Sequence, residues 1–321
     1  MYLPDDFVKL TDGYGCCEEA SNYFIQFKDV GKTVCDYGYD ATIWKVVVPE
    51  GAVIDRKDDG FKSSSITLSD SQVIYSNYSL TKQIVKQNGM ALEYARLQTD
   101  ELRKLAVQQC GTALMLIDDQ YEELCRLAIA QDGKAIHFVN NPTHELRMMA
   151  VKQKASSLDF IDGEDQTEEM CLIAVKQDGL VIEHSAYETP PVAKAAVTQN
   201  PNALVYLENQ TNELCEIAVA GDGNLLAHVE KQTERICEIA IKQKPRSFGF
   251  VKNKTDKLCY LAVSLDFRNI YDVKNPNDDI CEFALRRDPR AIKYIRNPSN
   301  YITQLAAELS KENYPDDKAD A

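Results

Sequence analysis

Six cysteines recur along the chain, and cysteine thiolates can bind zinc or form disulfides. They are Cys125, Cys171, Cys215, Cys237, Cys259 and Cys281. Two of these copies read NELCEIAVAGDG from Asn212 and ERICEIAIKQKP from Glu234, with the cysteine at the same place in both. The cysteines either form a metal or redox ladder or mark a structural position in a repeated unit. The secondary-structure elements that carry the cysteines decide between these two interpretations.

The N-terminal region contains two further chemical signals. Residues 29–33, DVGKT, include the GKT of a phosphate-binding loop, but the full pattern needs glycine where the chain has Gln26. Cys16, Cys17 and Cys35 offer thiolates, yet this region has no histidine and no CxxC spacing. We therefore expect no nucleotide, cofactor or metal here, and a structural or buried role for the three cysteines.

A catalytic group cannot be assembled from the remaining polar residues. No nucleophile, base and orienting residue occur at a characteristic spacing, and the acidic residues cluster at predicted helix starts, where the helix dipole favours negative charge. The chain is therefore more typical of a protein without enzymatic activity, and we predict no catalytic residue. An enzyme would have to use the N-terminal residues or a site formed only by folding.

These signals lie on a repeated sequence. Taking a capping residue as position 0, the equivalent residues are Asn77, Thr99, Tyr121, Thr143, Thr167, Thr189, Thr211, Thr233, Thr255, Asn277 and Ser299. The step between them is constant, except that the step from Thr143 to Thr167 is longer by two. Position 3 is always apolar, and position 7 is alanine in ten copies, with Ile84 in the first. Such agreement predicts tandem structural repeats.

Each repeat predicts two helices. Thr, Asn or Ser at position 0 accepts hydrogen bonds at a helix start, and Pro190 after Thr189 fits the first helical position. A second boundary, such as Asp222-Gly223, ends this helix and starts a short segment that is either α or 3₁₀. A unit this short cannot bury its own apolar side. We predict a mainly α fold, an α-solenoid of about eleven two-helix repeats over residues 77–309.

The repeat also predicts where its alanines and cysteines lie. Alanine at position 7 is expected where helices of adjacent repeats approach most closely. Neighbouring helix axes lie roughly 8–10 Å apart, whereas a disulfide needs Cβ atoms at about 4 Å. Equivalent cysteines on successive repeats are therefore predicted to be packing residues that neither bond nor share a metal. His184 and His228 fill a position that is aromatic in most copies, so we expect both in the core.

The repeat resembles a known family. Residues 84–94, IVKQNGMALEY, and residues 174–179, AVKQDG, are similar to the "AVkqnGxALxy" units of an uncharacterised helical-repeat family of giant DNA viruses, protists and some bacteria. The resemblance covers residues 77–309, although residues 154–155 and 265–267 lack its Gly or Pro turn. It implies the repeat fold and a viral origin. The family has no catalytic motif, so it implies no active site.

Residues 1–76 differ from the repeats. Residues 43–48 predict a strand closed by a turn, and residues 65–68 and 72–75 predict two further short strands. Residues 21–28 fit a helix or a strand equally well. This part is similar to small N-terminal modules that accompany viral repeats, and we expect an α+β or β-rich module that covers the first repeat. Residues 310–321 are predicted to form an acidic tail.

Composition limits the partners. The formal net charge of −14 and the pI near 4.8 disfavour binding to nucleic acid or to a membrane surface. The N-terminus has no signal-peptide pattern, and no apolar run is long enough to span a membrane. We expect an intracellular, cytoplasmic protein with a protein partner. The oligomeric state is not predicted.

Position 16 is the candidate partner-binding row, because it tolerates charged, polar and apolar residues and is therefore expected to be exposed. The row consists of Glu93, Met115, His137, Asp159, Glu183, Val205, Tyr271 and Lys293. A solenoid that displays a different side chain on each repeat can recognise a partner.

Three functions remain open. The first is a non-enzymatic repeat scaffold for protein binding, which the family resemblance would make viral, and the second is a structural component of a virus particle. The third is an enzyme or small-ligand binder built on residues 1–76. Its first candidate residues would be Tyr14, Cys16, Cys17, Cys35, Tyr37 and Tyr39.

Overall fold

The computed structural model describes residues 7–11, 23–26, 42–47, 54–57, 60–63, 67–73 and 77–313. The chain divides into two compact units, Met1–Asp165 and Gln166–Ala321. This boundary falls inside the one repeat step that is longer than the others, where a short 3₁₀ turn, Gly163–Asp165, is inserted. The two units are described separately below.

The first unit begins with six β-strands. These are β1 (Phe7–Thr11), β2 (Tyr23–Gln26), β3 (Thr42–Val47), β4 (Ile54–Lys57), β5 (Gly60–Ser63) and β6 (Thr67–Val73). They form one sheet in the order β4-β5-β2-β1-β3-β6, and its strand pairs are antiparallel. The predicted strand over 43–48 corresponds to β3, and the ambiguous segment 21–28 contains the strand β2. The two short strands predicted near 65–75 are one strand, β6, which pairs with β3 across a register shift at Ile43/Lys45.

Residues 77–313 form helices. The α-helices are α1 (Tyr78–Gln87), α2 (Asp100–Gln109), α3 (Glu122–Gln131), α4 (His144–Gln153), α5 (Glu168–Gln177), α6 (Pro190–Gln199), α7 (Asn212–Gly221), α8 (Glu234–Gln243), α9 (Asp256–Leu265), α10 (Asp278–Arg287) and α11 (Asn300–Asn313). Each of the first ten is followed by a six-residue 3₁₀ helix of the same number: η1 (Gly89–Tyr94), η2 (Gly111–Leu116), η3 (Gly133–Phe138), η4 (Ala155–Phe160), η5 (Gly179–His184), η6 (Pro201–Tyr206), η7 (Gly223–His228), η8 (Pro245–Phe250), η9 (Phe267–Asp272) and η10 (Pro289–Tyr294).

Both predicted helix boundaries are visible in the structure. The side chain of Thr211 accepts a hydrogen bond from the Leu214 backbone N–H, and the other Thr, Asn and Ser anchors do the same except Thr189, whose helix begins with proline. Asp222 ends α7 and then accepts from the Asn224 N–H to start η7. The second segment, for which the sequence allows an α-helix or a 3₁₀ helix, is therefore a 3₁₀ helix.

The core of each unit is a set of equivalent repeat positions. Positions 3 and 7 of the α-helix are buried from Leu102 and Ala106 onward, as are position 8 in every repeat but the last and position 15 of most 3₁₀ helices. Within each unit, successive α-helices pack side by side, and so do successive 3₁₀ helices. The fold is therefore mainly helical with repeated helix packing, as the sequence predicts.

The aromatic position 17 lies at the edge of this core, where Tyr94, Phe138 and Phe160 are only partly buried against it. His184 and His228 are exposed, and the ring of Phe250 is 45% exposed at the same position. The prediction that both histidines fill the core is therefore wrong. Position 15 precedes it by two residues, and because a 3₁₀ helix has three residues per turn the two side chains point in different directions. Position 15 takes the core place, leaving position 17 at the edge.

Glutamines at position 10 tie consecutive repeats together. The Gly111 backbone N–H donates to Gln131 Oε1 at 2.6 Å, while Gln131 Nε2 donates to the Gln109 carbonyl at 3.4 Å. The same two-way bond links Gly89 to Gln109 and Gly179 to Gln199. Gly133 and Gly223 donate in the same way to Gln153 and Gln243. Each glutamine thus satisfies a 3₁₀ helix start in the preceding repeat.

Glycine at position 12 is required by this contact. A Cβ added at Gly111 would lie 2.5 Å from the Ala128 carbonyl oxygen of the next repeat, closer than any side chain tolerates. The 3₁₀ start of one repeat therefore lies against the position 7 backbone of the next, and Ala128 itself is fully buried.

Two exceptions to this pairing are matched. Pro201 replaces the glycine of position 12 and has no N–H to donate, and the next repeat carries Gly221 in place of the glutamine. A Cβ on Gly221 would lie 2.3 Å from the Pro201 ring, so the ring occupies the space of the missing side chain. Pro245 is followed in the same way by Leu265. Donor and acceptor are thus lost together.

A second set of glutamines lies just before position 0. Gln120 Nε2 donates to the Phe138 carbonyl at 2.8 Å, and Gln120 Oε1 accepts from the Asn140 N–H at 3.0 Å. Gln166, Gln210 and Gln232 make the equivalent pair of bonds. These amides hold the loop that leaves each 3₁₀ helix. We call the glutamines at position 10 the first glutamine ladder and the glutamines just before position 0 the second.

Replacing a ladder glutamine should destabilise the protein more than replacing its neighbour. Gln109→Ala leaves the Gly89 N–H without its side-chain acceptor, and an orphaned buried donor costs about 1–3 kcal/mol. The control is Gln108→Ala, the same change on the preceding residue, which is exposed. Urea unfolding of both variants measures the difference, and equal midpoints would contradict the role given to the ladder.

Enlarging the alanine of position 7 should overpack the repeat. Ala218 in α7 is fully buried, so Ala218→Leu is expected to cost about 1–3 kcal/mol through displaced neighbours. The control is Ala220→Leu, two residues further along the same helix at an exposed position. Unchanged thermal stability of Ala218→Leu would rule out the close approach of repeats at this position.

Candidate functional site

The predicted row at position 16 is exposed along both units. In the first unit its residues are Glu93, Met115, His137 and Asp159, and in the second they are Glu183, Val205, Tyr271 and Lys293. Tyr271 and Met115 expose 52% and 54% of their surface, which is high for large apolar side chains. The row is thus available to a partner, as expected from its variability.

Local charge distinguishes the last repeats from the rest of the chain. Residues 242–296 contain thirteen Lys and Arg against seven Asp and Glu, a net charge of +6 in a chain of −14. Reasoning from the total charge missed this segment. The signal was present in the sequence, and a charge count taken repeat by repeat would have found it.

This basic segment forms a groove between the ninth and tenth repeats of the chain, both of which belong to the second unit. A depression of 680 Å³ is lined by the end of α9 and the start of η9 on one side and by Arg287, Asp288, Arg290, Lys293 and Tyr294 on the other. A second depression of 460 Å³ shares Asp266, Arg268 and Tyr294 with it, and adds Arg246 and Tyr271. We call these two adjoining depressions the basic groove. Two residues of the predicted row, Tyr271 and Lys293, line it.

Two arginines of the groove are held by aspartates two residues before them. Arg268 donates to Asp266 from Nε and from its terminal nitrogen at 2.8 and 2.7 Å, and Arg290 donates to Asp288 at 2.9 and 2.6 Å. These bonds lower the pKa of both carboxyl groups, chiefly through the hydrogen bond from the arginine. Each aspartate also caps its 3₁₀ helix, so the guanidinium groups are fixed to the backbone.

Aromatic rings lie beside these cations. The rings of Phe267 and Tyr294 meet edge to face, with centroids 6.0 Å apart, and the Arg290 guanidinium lies 5.7 Å from the centre of the Phe267 ring. The Arg296 guanidinium lies 4.2 Å from the Tyr271 ring centre. The groove therefore offers apolar faces next to fixed positive charge.

Three further cations in the groove have no counter-ion within contact distance. Arg246, Arg287 and Lys293 are exposed and form no ion pair within 4.0 Å among the described residues. The groove contains no described nucleophile with an adjacent base. Its residues offer positive charge and apolar rings side by side.

Both glutamine ladders stop at this groove. Position 10 is Leu265 and then Arg287, and position 12 is Phe267 where glycine would allow close approach. The second ladder ends at Gln232, since the following repeats carry Lys254 and Pro276. Leu265, Phe267 and Arg287, which stand where the first ladder has glutamine or its glycine, line the groove.

The recurring cysteines are buried packing residues. Cys125, Cys171, Cys215, Cys237, Cys259 and Cys281 are at most 5% exposed and are free thiols. Burial raises the pKa of Cys281 to about 11 and raises the pKa of Cys125, Cys215, Cys237 and Cys259. Cys171 Sγ donates to Gln166 Oε1 of the second ladder at 3.3 Å. The described residues contain no group of three or more His, Cys, Asp or Glu suited to a metal.

The N-terminal candidates cannot be placed. Residues 29–33 lie outside the part of the chain that the structure describes. The same holds for Tyr14, Cys16, Cys17, Cys35, Tyr37 and Tyr39.

Comparisons with known proteins return no relative. The chain matches no protein family, no curated protein and no solved structure. Among the described helices, none has both the length and the apolar composition needed to cross a bilayer.

The buried cysteines should resist alkylation in the folded protein. At pH 8 a thiol with a pKa of about 11 has roughly a hundredfold less thiolate than one at 9.0, and burial restricts access further. We expect iodoacetamide to modify Cys281 much more slowly than the half-buried Cys110. Peptide mass spectrometry of native and denatured samples measures both rates. Equal native rates at the two sites would contradict a packing role.

Proposed function

We propose that this protein is a non-enzymatic repeat scaffold that binds a protein partner through its 3₁₀ helices. The observation that carries the proposal is the exposed row at position 16, which displays acidic, basic, aromatic and aliphatic side chains at one equivalent place on successive helices. A backbone held by regular inter-repeat bonds presents such side chains at fixed spacing. Recognition surfaces of stacked repeats are built in this way.

The α-helical side is less suited to this role because its charges pair with one another. Lys104 contacts Glu123, Lys194 contacts Glu213, and Arg126 contacts both Glu122 and Glu145. Within the described residues, Glu93, Glu183 and Lys293 of the row form no such ion pair. Charges without a local partner are the ones available to another protein.

We propose further that the repeats form an α-solenoid of about eleven units and that residues 1–76 cover its first repeat. Ile84, Val85 and Leu92 of that repeat are fully buried, although no repeat precedes them. Position 7 is isoleucine only in this first copy, where no preceding glycine has to approach it. A covered first repeat is what a capping module would produce.

Reversing charge in the row should release the partner. We expect full-length Glu93→Lys/Glu183→Lys to retain at least about fivefold less of the co-purifying protein than the unmodified chain, because like charges now oppose each other. Glu123→Lys/Glu213→Lys is the control, since it makes the same change at two exposed residues of the α-helical side. Quantitative mass spectrometry of the co-purified proteins provides the readout.

Two results would contradict this proposal. One is equal retention of every specific partner by the row variant. The other is loss of the partner in the control variant alone, which would place binding on the α-helical side.

A further inference from the structure

The basic groove differs from the rest of the row in having a recognisable chemistry. Elsewhere the row presents single exposed side chains, whereas here a depression combines aromatic rings with cations that form no ion pair among the described residues. Its two walls belong to consecutive repeats of the same unit, so their spacing is set by the fold.

We propose that the basic groove binds a short, extended, acidic segment of a partner protein, with carboxylates on Arg246, Arg287 and Lys293 and an apolar side chain against Phe267 and Tyr294. This assignment rests on the proposed function and specifies the chemistry of the partner.

Charge supports an anionic ligand. The depression of 680 Å³ is lined by Arg268, Arg287, Arg290 and Lys293 against two carboxylates, Asp266 and Asp288. Those two carboxylates are already satisfied by Arg268 and Arg290. The adjoining depression adds Arg246 and Asp272, so five cations line the groove against three carboxylates, and the positive charge remains in excess. An incoming carboxylate would supply the missing partner.

The same lining favours a peptide over a nucleic acid. The carboxylates of Asp266, Asp272 and Asp288 border the groove and would repel a continuous phosphate backbone. The chain as a whole carries a net charge of −14, which opposes a long polyanion. A peptide can place single carboxylates near the three cations and avoid the aspartates.

The dimensions limit the segment. Neighbouring helices lie roughly 8–10 Å apart, so three repeats extend over roughly 20 Å, the length of about six residues at 3.3 Å each. The rings of Phe267 and Tyr294 line the same depression as Arg287 and Lys293. We therefore expect an apolar residue flanked by acidic ones.

The test uses fluorescence anisotropy with the full-length protein. The probe is a fluorescein-labelled peptide of about eight residues in which glutamates alternate with leucine and one central phenylalanine. We expect binding that weakens as salt is raised, because screening shortens the range of the charges. Arg287→Glu/Lys293→Glu should weaken binding by at least about tenfold.

The matched control is Lys176→Glu/Lys194→Glu, which changes the net charge equally. Both lysines are exposed on α-helices of repeats five and six, outside the basic segment, and neither lines the groove. This variant should bind the peptide within about twofold of the unmodified chain, since exposed charges beyond a Debye length are largely screened. A peptide with lysine in place of every glutamate should not bind.

Three results would overturn the assignment. They are no binding of the acidic peptide, equal weakening by the control variant, and preferential binding of an oligothymidylate of matching length, which would make the groove a nucleic-acid site. None of them affects retention of a partner through Glu93 and Glu183. Failure of this inference is thus distinguishable from failure of the scaffold proposal.

Discussion

The hydrogen bond between a glutamine amide and the backbone of the preceding repeat is the constraint on which the rest of this structure depends. A 3₁₀ helix start exposes backbone N–H groups that cannot be satisfied within the helix. Gln131 accepts from one of them and donates to a carbonyl of the same neighbouring repeat. Glycine at position 12 and alanine at position 7 follow from this contact, because larger side chains would hold the two backbones apart.

The repeats in which the first glutamine ladder ends also show what the ladder constrains. Once Pro245 removes a donor, Leu265 can replace glutamine without leaving a polar group unsatisfied. Phe267 and Arg287 then occupy positions that the ladder reserves for glycine and glutamine elsewhere, and both line the basic groove. Where the glutamine bond is absent, positions 10 and 12 of the repeat are thus free to carry residues for recognition. The exposed 3₁₀ helices and the groove are different results of the same repeat plan.

Much of this fold was predictable from the sequence because each repeat carries the same local signals. The capping residue Thr211, the boundary at Asp222-Gly223 and the buried Ala218 were assigned from residue type and spacing. Cys215 was also expected to be a packing residue, since neighbouring helices are too far apart for equivalent cysteines to bond. The exposed row was anticipated from its tolerance of charge at residues such as Glu183 and Lys293.

The remainder depends on geometry that spacing does not reveal. The spacing of the glutamines does not show that Gln109 bonds to Gly89 and so joins two different repeats. Most repeats have an aromatic residue at the position of His184, and this pattern predicts a core residue there. In the structure, the residue at position 15 occupies that place in the core. The basic groove was missed because a total charge of −14 conceals a local excess of Lys and Arg.

Amide hydrogen exchange of the native protein tests the central claim most directly. With rates corrected for sequence, the backbone amides of Gly89, Gly111, Gly133, Gly179 and Gly223 should exchange at least about tenfold more slowly than the amide of Phe267, which has Arg287 and no glutamine opposite it. This result would show that the glutamine ladder holds the repeats together. Equal protection of Phe267 and the five glycines would contradict that account.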